Sequence, residues 1–210
     1  MNAKHNAAEN AAKRFRTETA DHVMEVALDQ GLYRHLRFRN PGTGFCWFEI
    51  ITTPGQLTIR GDMGTYVFAR TEDMFAFFEG SGGRTKPSYW AEKVQAQDIH
   101  SPVLEYSREL FIEHVLEEFW DSRENLEDAP AVWAEIRDQL LDDVYGPAGD
   151  ETIAITAAME FNVGGFEFYD VTDWRLKAYN FHYLYSLHAI VDGIRRYRDH
   201  VLSLQLAEAA

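Results

Sequence analysis

The most constraining feature of the sequence is a series of four short segments with the composition of strands, separated by three tight turns. The segments cover residues 33–39, 45–52, 56–60 and 65–69, and the turns between them cover 40–44, 53–55 and 61–64. Glycine and proline at such short intervals reverse the chain, while β-branched and aromatic residues between them favour strands. The pattern predicts a four-stranded antiparallel sheet at about 33–69.

Helical spacing of apolar residues precedes and follows this sheet. Helices are expected at 6–30, 103–121, 130–145, 151–161 and 173–204, the last of them capped by Thr172. The first twelve residues are polar, and we expect them to fray. Together the patterns predict a single α+β domain over residues 1–210, with the sheet covered by an N-terminal helix and several C-terminal helices.

The composition is typical of soluble globular proteins. Hydrophobic residues make up 46% of the 210 residues and charged residues 26%. No apolar stretch reaches 18 residues and the N-terminus lacks an apolar core, which predicts a cytoplasmic protein without membrane contact. The only cysteine, Cys46, follows Phe45 and precedes Trp47, so we expect a buried, unreactive thiol within a strand.

The negative charge is concentrated in the middle of the chain. Of the formal net charge of -14, residues 98–151 contribute -13, because 16 acidic residues there face only three arginines. Solvated helix faces are one explanation, and a docking surface for a basic partner is the other. The candidate partner-binding residues are Glu109, Glu113, Glu117, Glu118, Asp121, Glu135, Asp138 and Asp142.

An enzymatic alternative rests on two residues near the C-terminus. Arg195 and His200 match an R-x4-H pattern found in a class of helical ribonucleases, where the two side chains would act on a scissile phosphate. With 15 arginines and eight histidines, such a spacing is expected by chance. A nuclease or other phosphoester hydrolase is therefore the second hypothesis, behind a protein without catalytic activity.

A metal site is a weaker possibility. Glu18, His22 and Glu25 are spaced so that a helix would bring them to one face, where they could bind a divalent ion. No ligand from another element is indicated, and a solvated helix face explains the same spacing. We expect no metal and no cofactor.

Two further clusters have a structural and a functional explanation. The aromatic residues Trp47, Tyr89, Trp90, Tyr179 and Tyr183 could line a small-ligand pocket, although core packing explains them as well.

The other cluster is basic. Alternation along the first strand places His35, Arg37 and Arg39 on one face, where they could touch phosphate. Glu49 and other acids on neighbouring strands are the simpler partners.

Three segments resemble a known protein family. They read FEIITTPGQLTIRGDMGTYVF at 48–68, DMFAFF with SYWAEK at 73–78 and 88–93, and YNFHYLYSLHAIVDGIRRY at 179–197. These segments resemble uncharacterised proteins encoded by phages and prophages. The resemblance implies action in a bacterial host cell and favours proteins of host takeover or counter-defence.

The combined expectation is an acidic, phage-related interaction protein that inhibits a host nucleic-acid-handling or defence complex. Its partner would be a basic host protein or a nucleic-acid-binding complex, bound through carboxylates that occupy sites for phosphate. The net negative charge argues against direct binding to nucleic acid.

Overall fold

The computed structural model describes residues 3–142 and 146–209. The α-helices in these ranges are α1 (Ala3–Glu18), α2 (Met74–Glu79), α3 (Pro87–Ala91), α4 (Arg108–Ser122), α5 (Ala129–Gln139), α6 (Glu151–Glu160) and α7 (Phe181–Glu208). The strands are β1 (Val23–Gln30), β2 (Tyr33–Arg39), β3 (Phe48–Thr53), β4 (Gln56–Gly61), β5 (Gly64–Ala69), β6 (Val94–Gln97), β7 (Leu104–Tyr106), β8 (Asn162–Val163), β9 (Phe166–Glu167) and β10 (Lys177–Tyr179).

The chain divides into two compact units. Unit 1 comprises Met1–Val103 together with Tyr179–Ala210, and unit 2 is the continuous segment Leu104–Ala178 between them. Each unit has its own cluster of buried apolar side chains. The expectation of one domain over 1–210 stays a prediction.

Unit 1 is built on a sheet of six antiparallel strands in chain order, β1 to β6. The α+β class is confirmed, but the prediction of four strands is wrong. The four predicted strands are present as β2 to β5, and one further strand pairs with each edge.

The sequence pattern assigns the strand β1 to the N-terminal helix because its apolar residues have helical spacing. That helix ends at Glu18 instead of residue 30, and Val26 and Leu28 of β1 pair with consecutive residues of β2. The extra residue, Ala27, breaks the two-residue alternation of the strand. Val23 lies on the outer face and Val26 packs against the core, yet together with Ala27 they follow the i, i+3, i+4 spacing that is typical of a helix.

The last helix begins later than predicted. Residues 171–173 form a single 3₁₀ turn, so the expected cap at Thr172 and the helix from 173 are wrong. The helix α7 begins after Asn180, whose side-chain oxygen accepts a hydrogen bond from the backbone N–H of His182 at 2.7 Å. An asparagine with this bond is a favourable N-cap.

The inner face of the sheet packs against α7. Buried residues from the sheet are Leu36, Phe38, Ile50, Leu57, Ile59, Tyr66 and Phe68, and those from α7 include Tyr183, Leu187, Ile190, Ile194 and Tyr197. Gly193 of α7 lies so close to the sheet that an added Cβ would be 2.5 Å from Ile50 Cδ1 and 3.1 Å from the ring of Phe38. Any larger residue at this crossing would force the side chains of Ile50 and Phe38 to shift.

Unit 2 contains α4, α5 and α6 around a second core. Ser107, Asp128 and Asp150 cap the three helices by accepting hydrogen bonds from backbone N–H groups of the first turns. The predicted helices at 103–121, 130–145 and 151–161 are present with shorter bounds. Residues 143–145 of the second one lie outside the described residues.

None of the helices in 3–142 and 146–209 combines the length and the apolar character that crossing a bilayer requires.

The close approach at Gly193 yields a prediction. Gly193→Ala should destabilise unit 1 by about 1–3 kcal/mol because the new methyl group overlaps Ile50 Cδ1. Ile50→Val removes that atom at a cost of about 0.5–1.5 kcal/mol, so the double variant should lose less than the sum of the two. Hydrogen exchange of the β3 amides measures the effect. Alanine is a better helix former than glycine, so without the overlap Gly193→Ala would not destabilise the helix. A Gly193→Ala variant as stable as the wild type would therefore contradict the prediction.

Candidate functional site

The net charge of the chain belongs entirely to unit 2. This unit contains 19 acidic residues and five lysines or arginines, a net of -14. Unit 1 contains 15 of each kind and is neutral. The bounds of unit 2 therefore contain the whole net charge, whereas the range 98–151 taken from the sequence contains -13 of it.

Four of the candidate carboxylates form a row on α4. Glu109, Glu113, Glu117 and Asp121 recur every four residues and are exposed. Residues four apart on a helix are neighbours, so the row runs along α4 for about 18 Å while it turns about 120° around the helix axis. Within the described residues, Glu113, Glu117 and Asp121 form no ion pair or hydrogen bond. Their charge is therefore available to a partner.

Glu118 has a different role from the row. Its carboxylate accepts hydrogen bonds from the backbone N–H of Tyr169 at 3.1 Å and from Trp174 Nε1 at 2.9 Å. These contacts connect α4 to the segment that follows β9 within unit 2. Glu118 is therefore a structural residue, and we remove it from the interaction surface.

Two apolar side chains lie on the same side of α4 as the row. Leu116 is 40% exposed and Trp120 is 61% exposed, although the apolar spacing predicts Leu116 on the buried side. The guanidinium of Arg123 lies 4.4 Å from the centroid of the Trp120 ring. We call this surface, formed by Glu109, Glu113, Leu116, Glu117, Trp120 and Asp121, the α4 face.

The remaining acidic candidates lie at α5. Glu135 and Asp138 are exposed and three residues apart on this helix, and Glu135 accepts a hydrogen bond from Gln139 at 2.8 Å. Asp142 follows the end of the helix at Gln139 and is half-buried. Among the described residues 129–142, no large apolar side chain is exposed as Trp120 is.

Arg195 and His200 are not arranged as a catalytic pair. Both lie on α7, five residues apart, which places them about 140° apart around the helix axis. Arg195 contacts Asp192 at 2.6 Å and Asp199 at 3.4 Å, so its guanidinium is already paired. A cavity of about 500 Å³ beside α7 is lined by Arg195 and His188, with His200 outside its lining.

The proposed metal-binding row does not form. Glu18 ends α1, His22 lies in the following turn, and Glu25 belongs to β1, so the premise of one shared helix face is wrong. Glu18 pairs with Arg14 at 2.7 Å, and Glu25 lies 3.5 Å from Arg37. Burial lowers the pKa of His22. The described part of the chain contains no group of three or more His, Cys, Asp or Glu placed to hold a metal ion.

The five aromatic candidates do not form one pocket. Trp90 and Tyr183 are core residues of unit 1, and the Tyr183 hydroxyl donates a hydrogen bond to the carbonyl oxygen of Pro87 at 2.8 Å. Tyr179 packs against Tyr183 with ring centroids 5.7 Å apart. Tyr89 is 42% exposed, and Trp47 lies on another surface, described below. Core packing explains most of this set.

Cys46 lies in the turn before β3 and not within a strand. Its backbone φ is +59°, and its Sγ lies 3.4 Å from Glu18 Oε2. Burial raises the pKa of the thiol. A thiol in this protonated state is a poor nucleophile.

The outer face of the sheet carries a ladder of alternating charges. The strand register aligns Glu25, Arg37, Glu49 and Arg60 across β1 to β4. Glu49 is buried, and it accepts hydrogen bonds from Arg37 Nε at 2.9 Å and Arg60 Nε at 2.7 Å. His35 Nε2 lies 3.2 Å from the same carboxylate. The expectation that Glu49 pairs with the basic strand face is confirmed for His35 and Arg37.

No family model, curated protein or solved structure matches the chain. The resemblance to phage-encoded proteins therefore stays a prediction.

The charge ladder makes unit 1 sensitive to acid. Burial raises the pKa of Glu49, but Arg60 and His35 beside the carboxylate outweigh this effect and hold the pKa below its ordinary value. The unfolded chain therefore takes up a proton at higher pH than the folded chain does. The stabilisation by Glu49 is complete above about pH 4.3 and disappears as the pH falls through the lower folded value.

Glu49→Gln tests this dependence. The variant should be less stable than the wild type by about 1–3 kcal/mol at neutral pH, and the difference should shrink in acid. Unfolding free energies measured across pH check this. Glu25→Gln is the control, because Glu25 is exposed and its two contacts to arginine are long. Equal effects of the two substitutions would contradict the role of Glu49.

Proposed function

We propose that unit 2 is an interaction module whose α4 face binds a basic protein. The observation on which this rests is Trp120, a large aromatic side chain that is 61% exposed beside a row of carboxylates, next to Asp121 near the end of α4. Binding surfaces are typically organised around a few aromatic anchors surrounded by polar residues. The α4 face has this organisation.

The carboxylates and the apolar side chains act at different stages of binding. The net charge of -14 on unit 2 attracts a basic partner and raises the association rate at low salt. Burial of Trp120 and Leu116 then stabilises the complex by removing apolar surface from water. The partner therefore needs arginines or lysines around an apolar depression.

The partner class follows from the chemistry of the row. Carboxylates spaced about 6 Å apart along a helix present repeated negative charges to a groove that otherwise binds phosphates. A nucleic-acid-handling protein has such a groove, and occupying it would inhibit that protein. The resemblance to phage proteins supports a bacterial host protein as the target.

The function is tested by displacement from DNA. Proteins of a bacterial extract are bound to immobilised DNA, and the purified full-length chain is added. We expect it to release a DNA-binding protein that then forms a complex with it. The triple variant Glu113→Gln, Glu117→Gln, Asp121→Asn should release less of this protein at the same concentration, because three of the four carboxylates of the row are neutralised.

A matched triple variant controls for net charge. Glu127→Gln, Glu160→Gln and Asp173→Asn remove three exposed carboxylates of unit 2 that lie outside α4. This control should displace as much protein as the wild type does. Equal losses in both triple variants would show that only net charge acts, and absence of any displacement by the wild type would refute the proposed function.

Trp120 gives a separate prediction. Trp120→Ala should weaken the complex at least tenfold, mainly by faster dissociation, because the anchor is lost while the steering charges remain. Surface plasmon resonance with the displaced protein measures both rates. The exposed tryptophan contributes little to folding, so the far-ultraviolet circular dichroism and the melting temperature of the variant should remain close to those of the wild type.

A further inference from the structure

An open cleft lies on the outer face of the sheet in unit 1. Its volume is about 710 Å³, and its lining comes from β1, β2, the start of β3 and the turn that connects β2 to β3. This volume is in the range of sites for small organic ligands. Neither the α4 face nor any other candidate residue of unit 2 belongs to it.

Two arginines with spare donor groups line the cleft. Arg37 is held by Glu49 through Nε, and its Nη1 lies at a long 3.5 Å from Glu25. Arg39 is 68% exposed, and its nearest carboxylate oxygen, on Glu25, is 3.6 Å away. Glu25 is thus shared between the two guanidinium groups, and Glu49 binds only Nε of Arg37. Most N–H donors of both arginines remain available for an anion.

The lining of the cleft contains two arginines and two glutamates, and one of these carboxylates is shared with an arginine outside the lining. Of the two acidic residues in the lining, Glu49 also accepts two contacts from Arg60, at 2.6 and 2.7 Å, and is buried among its partners. Arg60 thus neutralises part of the Glu49 charge, and Glu25 is the exposed carboxylate of the lining beside Arg37 and Arg39. Unit 1 as a whole is neutral, so the negative charge that argues against phosphate ligands belongs to the other unit.

An aromatic ring is placed beside the arginines. Trp47 lines the cleft and is half-buried, and it immediately precedes β3. Extending the β2–β3 register by alternation puts Trp47 on the same face as Glu49 and opposite Arg39. Nucleobases stack on such rings, while guanidinium groups bind phosphate with two N–H donors.

We propose that this cleft binds a nucleotide, with the phosphate on Arg37 and Arg39 and the base against Trp47. The nucleotide is either free or one unit of a single strand, since both present the same base and phosphate. The site is independent of the proposed function of the α4 face, which lies in unit 2.

Calorimetric titration of the full-length chain tests the proposal. The probes are adenosine monophosphate, adenosine, inorganic phosphate and a single-stranded oligothymidylate. Adenosine monophosphate should bind more tightly than adenosine or phosphate alone, because only it uses both halves of the cleft. Tighter binding of the oligothymidylate, weakening steeply with salt, would identify a single strand as the source.

Variants assign the binding to the cleft. Arg39→Gln should weaken the binding of adenosine monophosphate about tenfold, as expected for loss of charge-assisted hydrogen bonds. Arg84→Gln is the matched control, because Arg84 is an exposed arginine of unit 1 outside the cleft lining. Trp47→Leu should weaken the binding of adenosine monophosphate and leave the binding of inorganic phosphate unchanged.

Three results would overturn the proposal. They are absence of binding by both nucleotide probes, equal affinity for adenosine and adenosine monophosphate, and equal weakening by Arg39→Gln and Arg84→Gln. Circular dichroism of each variant separates a loss of fold from a loss of binding. Because Arg39 is exposed and its only close carboxylate is 3.6 Å away, its substitution should leave the sheet intact.

Discussion

The packing of α7 on the inner face of the sheet is the interaction on which the rest of unit 1 depends. Gly193 allows the helix to approach β2 and β3 closely enough to bury their aromatic and aliphatic side chains. From the same helix, the Tyr197 hydroxyl donates a hydrogen bond to Asp29 of β1, and Arg196 donates to the carbonyl oxygen of His22. One helix therefore holds the sheet, its edge strand β1 and the turn after α1 in place. The outer face of the same sheet is positioned by these contacts on its inner side.

The parts of the fold that the sequence predicts are those determined by neighbouring residues. Strands β2 to β5 are joined by short glycine-containing turns and alternate regularly, so local rules are sufficient to find them. The strand β1 escapes these rules because apolar residues on both of its faces give helical spacing, and the bulge at Ala27 interrupts the alternation. The strand β6 escapes them because it has only four residues and pairs with β5 across a long intervening segment. Such distant pairing leaves no local pattern.

The candidate sites show the same division. The concentration of acidic residues is visible in the sequence, and so is the pairing of Glu49 with its neighbours, because strand alternation predicts it. The exposure of Leu116 is not, because its apolar spacing assigns it to the buried side of the helix, and no local pattern marks Trp120 as an exposed residue of that face. Glu118 looks identical to Glu117 in sequence, yet only tertiary structure shows that it bonds to Trp174.

The segment of unit 2 is inserted in the sequence between the two segments of unit 1, and this order affects how the protein folds during synthesis. The backbone N–H of Asn180 bonds to the carbonyl oxygen of Val103 at 3.1 Å, so the chain leaves unit 1 and returns to it at one point. Unit 2 is continuous and can complete its core while α7 is still inside the ribosome. The inner face of the sheet formed by β1 to β6 stays uncovered until α7 has emerged, and this nascent chain is the state most exposed to aggregation.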